Sequence, residues 1–373
     1  MKILYIANQR LPTEKAYGLQ IANTCQALAK NGVELTLLIP SRNQSSTEGI
    51  FTHYHIAKTF EIKQLYAPDF NSPSPLTRLA FHLKNIISAL KLVRYALANQ
   101  YDFIYSRDEW PLYFLSFFRN NLIFEVHKYS SIRKIFYRRF IKANIGVICI
   151  SNGLKNKFAN LGFKTDNLVT IRDAVNPEEF AINISMTEAR NHVKLPLDKK
   201  IVVYSGQLFE WKGVANLIIA AQDLPLDVLV VVVGGGDEEI ARLVLLDRNG
   251  RVEFIGWRKH SLIPLYLRAA DLLVLPNKKD GDLSEFYTSP LKMFEYMAAG
   301  KPIIATDLPS LREVLNEQNA FFVVPGDSVA LARGITMVLN NAMLADRISR
   351  QALQEVKNYT WDIRAQQILD FIK

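Results

Sequence analysis

Short apolar runs alternate along this chain with longer stretches whose apolar positions recur at helical spacing. Lys2 to Ala7 reads as a strand, Asn8 to Gly18 as a polar loop, and Leu19 to Lys30 as a helix with Ile21, Cys25 and Leu28 on one face. Asn31-Gly32 supplies its C-terminal stop. Val33 to Pro40 is the next strand, and a βαβ start of this kind favours a parallel sheet. NSPSPL, Asn71 to Leu76, is a break, and Leu76 to Asn99 is a long amphipathic helix. Strands follow at Phe103 to Ser106, Leu122 to Val126 and Gly146 to Ile150, with Ser151 capping the helix after the last.

The polar stretch Asn183 to Lys200 marks a boundary. Beyond it the rhythm restarts, with strands at Ile201 to Ser205, Asp227 to Val233, Val252 to Ile255, Leu272 to Leu275, Pro302 to Ala305 and Ala320 to Val324. An amphipathic helix, Thr360 to Ile372, closes the chain. The expectation is an α/β protein of two tandem Rossmann-like, doubly wound parallel-sheet domains, divided between 185 and 186. Ligands of such sheets bind outside the carboxyl ends of the strands, so a cleft between the domains is the expected site.

Composition narrows this picture. At 373 residues the chain is too long for one ordinary domain, and 49% hydrophobic content excludes disorder and collagen-like structure. No apolar run reaches the roughly 18 residues that span a bilayer. MKILYIA runs straight into polar NQRLPTEK, unlike a signal peptide, so a cytoplasmic location is expected. Cys25 and Cys149 read as small buried apolar residues. The net charge of +9 is concentrated in the first half: residues 1–185 carry 23 Lys and Arg against 13 Asp and Glu. An anionic partner for that half follows, either nucleic acid or a lipid surface.

Candidate chemistry begins with SPLKMFEYMAAGKPIIAT, Ser289 to Thr306. Ser289 suits an N-cap and Pro290 the first helical position, and the free N–H groups of that turn attract phosphate. Leu291, Phe294, Met297 and Ala298 form the core stripe, and Glu295 lies off it. Two readings stand there: a carboxylate for sugar hydroxyls, or an i,i+3 partner of Lys292. In YSGQLFEWKG, Tyr204 to Gly213, Lys212 comes just before a helix and is either an anion ligand or a solvated loop residue. VVVGGGDEE, Val231 to Glu239, fails the dinucleotide fingerprint and reads as a tight turn with close backbone packing. Trp257, Arg258 and His260 end a strand and either flank a base or serve core and surface. SIRKIFYRRFIK, Ser131 to Lys142, has five cations, Arg133, Lys134, Arg138, Arg139 and Lys142, and no acid. Ile132, Ile135, Phe136 and Phe140 share a helical face there, which suits either an anionic membrane surface or packing on the sheet. No nucleic-acid-binding module is recognised.

The order of G-x-L-x-x-x-K-G, V-x-F-x-G, AADLLVLP and SPLKMFEYMAAGKPIIAT resembles the nucleotide-sugar domain of retaining GT-B glycosyltransferases, most nearly their family 4. AYGLQIANTCQALAKNG, IYSRD, FEVH, ICISNGLKNKF and RDAVNPEEF resemble the first domain of the same family. WDIRAQQILDFI resembles its C-terminal helix, so residues 360–373 are expected to return to the acceptor-binding domain 1–185, with 186–359 binding the donor.

The resemblance implies roles residue by residue. Lys212 would bind the donor diphosphate, Glu295 the ribose, and the backbone of Thr288, Ser289, Pro290 and Leu291 would cradle the diphosphate. Gly206 and Gln207 would border it, and the loop at Gly18 would approach it and the acceptor. Trp257 and Arg258 would flank the base. His127, with Glu125 two residues earlier on the same strand face, would touch the donor sugar near the reacting carbon. Two positions depart from the pattern. Gln207 stands where the family has arginine, leaving Lys292 or Arg258 to complete the site. Tyr287 stands where it has glutamate, and Glu285 comes two residues too early. The implied activity is retaining, metal-independent hexosyl transfer from a UDP- or GDP-sugar to a glycan or lipid-linked acceptor. No prosthetic group or nucleic acid is implied. A nucleotide-sugar epimerase or hydrolase, and a non-catalytic nucleotide-sugar binder, are the alternatives.

Overall fold

The structure, a computed structural model, describes residues 1–41, 47–67 and 77–373. The break at Asn71 to Leu76 lies outside them. The chain forms two compact units, Met1–Asp173 with Trp361–Lys373, and Ala174–Thr360. This division falls earlier than the boundary read from sequence. Phe180 belongs to the second unit's core, Val175 bridges to Thr360, and the polar stretch holds a helix, Met186–Val193, closed by a Ser185/Glu188 capping box. Polarity there reflects a solvated helix surface, not a linker.

Among the described residues, the first unit holds a seven-stranded parallel sheet. Its strands are β1 (Lys2–Ile6), β2 (Glu34–Ser41), β3 (Glu61–Tyr66), β4 (Phe103–Ser106), β5 (Leu122–Val126), β6 (Gly146–Cys149) and β7 (Leu168–Thr170), ordered β3-β2-β1-β4-β5-β6-β7. The second unit holds β8 (Lys200–Ser205), β9 (Val228–Val233), β10 (Val252–Gly256), β11 (Leu272–Leu275), β12 (Ile303–Thr306) and β13 (Phe321–Val323), ordered β10-β9-β8-β11-β12-β13. All registered pairs are parallel, so helices must cross over between strands. Each sheet reverses its strand order once, at β1/β4 and at β8/β11. These are the topological switch points where such folds bind ligands.

The strands read as apolar runs because both faces are covered. In β8, Ile201 and Val203 join one core layer while Val202 and Tyr204 join the other. β3 and β7 escaped the sequence reading. β3 is a half-exposed edge strand with Glu61, Lys63 and Gln64 among its six residues, and β7 has only three. The first helix, Ala16–Lys30, starts before the expected Leu19, so Gly18 lies in its first turn and not in a loop. A Cβ at Gly18 would sit 2.1 Å from the Tyr54 hydroxyl, which itself donates to Thr13 O and accepts from Thr13 N. The glycine therefore leaves room for a tyrosine that ties down the preceding loop. No single described helix is long and apolar enough to cross a bilayer.

Candidate functional site

In the second unit, β8 ends at Ser205 and the chain turns at Gly206, whose φ of +127° favours glycine. The Tyr204 hydroxyl donates to Gln207 O at 2.7 Å and pins the turn, while the Gln207 side chain is exposed. The neighbouring glycine turn packs directly on it: a Cβ at Gly234 would lie 2.2 Å from Gly206 O. A 3-10 turn, Glu210–Lys212, then leads to Gly213 at φ +71°. A Cβ on Gly213 would lie 1.8 Å from Pro276 O, so only glycine lets the backbone pass this close to the loop after β11. The result is that Lys212 is buried, its Nζ 3.7 Å from the Trp211 ring centroid. Burial alone pushes its pKa down to about 7.

The helix Leu291–Ala298 begins one residue later than expected. Pro290 is its N-cap, because its ψ of 124° keeps it extended, and no side chain caps the turn. Lys292 to Ala298 are all buried, so the helix has no solvent face on which Glu295 and Lys292 would pair. Glu295 is instead bonded by His260 Nε2 at 3.0 Å. Burial lowers the His260 pKa, but the hydrogen bond and charge of Glu295 outweigh it and hold the imidazole above its usual value. Lys292 Nζ lies 3.7 Å from the Tyr204 ring centroid and has no hydrogen-bond partner among the described residues. Burial, then the charge of Lys212, press its pKa well below the usual range against the opposing charge of Glu295.

The remaining residues picked from this half are placed as follows. Thr288 and Ser289 are buried beside Pro290. Tyr287 is buried, with its hydroxyl on Asp282 Oδ2 at 2.9 Å. Glu285 is paired with Lys279 at 3.1 Å and is not drawn in. Trp257 is 46% exposed and Arg258 donates to its carbonyl at 2.8 Å. Lys292 is thus drawn to Gly206 at the carboxyl end of β8, within reach of the charge of Lys212, and Glu295 is fixed through a histidine.

In the first unit, β5 places Glu125 in the core and His127 at the strand's end. Glu125 Oε1 accepts from Gln20 Nε2 and His127 Nε2, each at 2.5 Å. Oε2 accepts from the Tyr105 hydroxyl and forms an ion pair at 3.0 Å with Arg364 Nη2, from the helix Trp361–Ile372. Burial pushes the Glu125 carboxyl up, but Arg364, His127 and Arg107 outweigh it and hold it well below the usual range. His127 is pushed down by burial and by Arg107, so it is a neutral imidazole at pH 7. Its Nε2–H is committed to Glu125, which leaves Nδ1 as an acceptor. Glu125, His127 and Asp173 have ligand atoms within 4.8 Å of one another. Gln20, Tyr105 and His127 donate to the Glu125 carboxylate and Arg364 pairs with it, so the carboxylate is the centre of a buried ion-pair network.

Sequence reasoning missed Gln20, Tyr105, Arg107, Asp173 and Arg364. A signal existed for Arg364: it stands on the buried face of Trp361, Ala365, Ile368 and Ile372. A cation on such a stripe requires a buried counter-charge.

The basic segment forms a turn and the helix Lys134–Lys142. Its expected apolar face is split. Phe136 and Phe140 are core residues, whereas Ile132 is 92% and Ile135 62% exposed. Arg133 is paired with Glu109, and Arg139 bonds Ser116 and stacks 4.1 Å over Phe117. Lys134, Arg138 and Lys142 are exposed.

Residues 18–179 match the model for Glycosyltransferase Family 4, and residues 185–355 match that for Glycosyl transferases group 1. The chain carries these two glycosyltransferase domains in tandem. This two-domain chain is 27% identical over 239 residues to an uncharacterized glycosyltransferase of Methanocaldococcus jannaschii, covering 61% of this chain and 59% of that one. It is 30% identical over 190 residues to the phosphatidyl-myo-inositol mannosyltransferase of Mycobacterium leprae, covering 50% and 49%. The matches thus span about half the length of these curated relatives. Among solved structures, Anabaena HepE in complex with UDP and glucose superposes with a TM-score of 0.77 at 19% identity, covering 99% of this chain and 98% of that one. The two glycosyltransferase domains therefore have the GT-B architecture.

Proposed function

We propose that this chain is a retaining glycosyltransferase that moves a hexose from a UDP- or GDP-sugar to a glycan or lipid-linked acceptor. The observation that carries the reading is Lys212, a buried amine without an ion-pair partner among the described residues, set in the turn after β8 by the close packing of Gly213 on Pro276. A buried cation of this kind is costly unless an anion arrives to pair with it. The Glu295 carboxylate, oriented by His260, suits a pair of ribose hydroxyls. The two glycosyltransferase domains and the UDP bound by HepE support the same donor class.

In this reading the leaving diphosphate gains charge as the glycosidic bond breaks. Lys212 and the N–H groups entering the Leu291–Ala298 helix absorb it. The departing phosphate takes the acceptor's proton, so no dedicated base is needed. His127, locked by Glu125, presents Nδ1 to the transferring sugar. No metal or prosthetic group has a part in this reading.

A thermal-shift screen against nucleotide sugars, followed by product analysis with and without acceptor, tests it. Transfer only with acceptor present is expected. Free sugar or an epimer without acceptor would make the protein a hydrolase or epimerase, and binding without turnover a carrier or complex partner. No binding of any nucleoside diphosphate at millimolar concentration in calorimetry would end the proposal.

We also assign Lys134, Arg138 and Lys142, with exposed Ile132 and Ile135, to an anionic membrane surface on which a lipid-linked acceptor resides. Each cation near such a surface contributes about 1 kcal/mol. Replacing the three by alanine is expected to weaken flotation with anionic liposomes about a hundredfold. Equal flotation with neutral liposomes would count against this surface.

A further inference from the structure

Apart from its place over the Tyr204 ring, the Lys292 amine has no polar partner among the described residues. Its Nζ is buried and makes no hydrogen bond there, and the acid one turn on, Glu295, is engaged by His260. A leucine or methionine would fill the same helix position with no polar group to desolvate. The amine also lies where the charge of a second buried lysine, Lys212, bears on it. Two like charges in one dry site repel more than the single nearby carboxylate of Glu295 offsets, and a multiply charged anion joining them reverses the balance.

The position of the amine says which anion. Lys292 reaches back from the first turn of its helix to the turn after β8, where a Cβ at Gly206 would be only 2.8 Å from Nζ. The exposed Gln207 that follows offers no cation there. We propose that Lys292 is a second diphosphate ligand, forming with Lys212 a two-amine clamp over the Gly206 turn. This rests on the donor class proposed above and adds the group that grips it. A pyrophosphate, carrying charge on two linked phosphoryl groups, satisfies both amines at once, whereas a single phosphate satisfies one. Because the amines shed protons when buried without a partner, the anion's arrival draws protons back onto them.

Calorimetric titration of the full chain with UDP, GDP, UMP and uridine, in two buffers of different ionisation enthalpy at pH 8, tests the clamp. For wild type, net proton uptake on binding a nucleoside diphosphate is expected. Lys292→Met should weaken diphosphate binding about ten- to hundredfold, as loss of one charge-assisted bond does. It should lower proton uptake, weaken UMP binding less, and leave uridine unaffected. Lys292→Arg should retain part of the affinity. The melting temperature of Lys292→Met should equal or exceed that of wild type, which separates ligand loss from misfolding. If wild type binds a nucleoside diphosphate and Lys292→Met binds it equally with unchanged proton uptake, the clamp is overturned while the donor class stands. If wild type binds none, both fall.

Discussion

Lys212→Met is expected to yield a protein that is more stable than wild type and nearly inactive. The amine sits buried against Trp211 with only burial acting on its pKa, which falls from 10.5 to about 7. In the unfolded chain the same amine is hydrated and charged, so folding at neutral pH must strip it of water or proton. Replacing such a group by an apolar side chain of similar length stabilises by about 1–4 kcal/mol where comparable buried charges have been removed. The sign has a pH signature. A base whose folded pKa is depressed penalises folding below pH 7, and the penalty fades as the pH rises toward 10.5. Urea denaturation at pH 6.5 and pH 9.5 should therefore show a stability gain that is larger at the lower pH. Activity moves the other way. Losing a preorganised donor to the developing charge costs about 10²–10³ in kcat. A Lys212→Met protein that is no more stable than wild type, or that retains more than a tenth of its turnover, would contradict the role given to this residue.

Arg364→Met is expected to be strongly destabilising. The guanidinium is 2% exposed and has three attachments: Glu125 Oε2 at 3.0 Å, Thr24 Oγ1 at 3.1 Å and Arg172 O at 3.1 Å. Removing it leaves the Glu125 carboxylate buried without its main counter-charge, a loss of about 3–5 kcal/mol. Arg364→Lys should recover only part, since a single ammonium cannot make the forked contacts. Glu125 is held well below its usual range, so this stabilisation is present above about pH 4.5 and is lost as the pH falls through the lowered folded value. An unfolding free energy for Arg364→Met, from urea denaturation, within about 1 kcal/mol of wild type, on the scale of an exposed surface pair, would remove the network from the account.

The sheet cores were readable from sequence because parallel strands covered on both faces appear as plain apolar runs, as in Val228–Val233 and Leu272–Leu275. Edge strand β3 was not, because its exposed positions carry Glu61 and Lys63 and its period is masked. Segment order pointed to the second unit, and Lys212, Lys292 and Glu295 are all legible there as candidates. What sequence could not give was pairing. Glu295 and Lys292 are three residues apart, which on an exposed helix would join them, yet burial of the whole helix sends one to His260 and the other to Tyr204. The Glu125 network was hidden for a related reason: its members come from Gln20, Tyr105, Arg107, Asp173 and Arg364, positions that only the fold gathers.

The helix Trp361–Ile372 belongs to the unit that begins at Met1, so the second unit is in effect an insertion within the first. On the ribosome, Glu125 emerges long before the arginine that neutralises it. The middle segment, Ala174–Thr360, is translated without interruption and is free to mature while the flanking segment still waits for its last helix. Order of synthesis and order of completion are thus reversed for the two units: in a nascent chain stalled before Arg364 the second unit would be finished and the first would not.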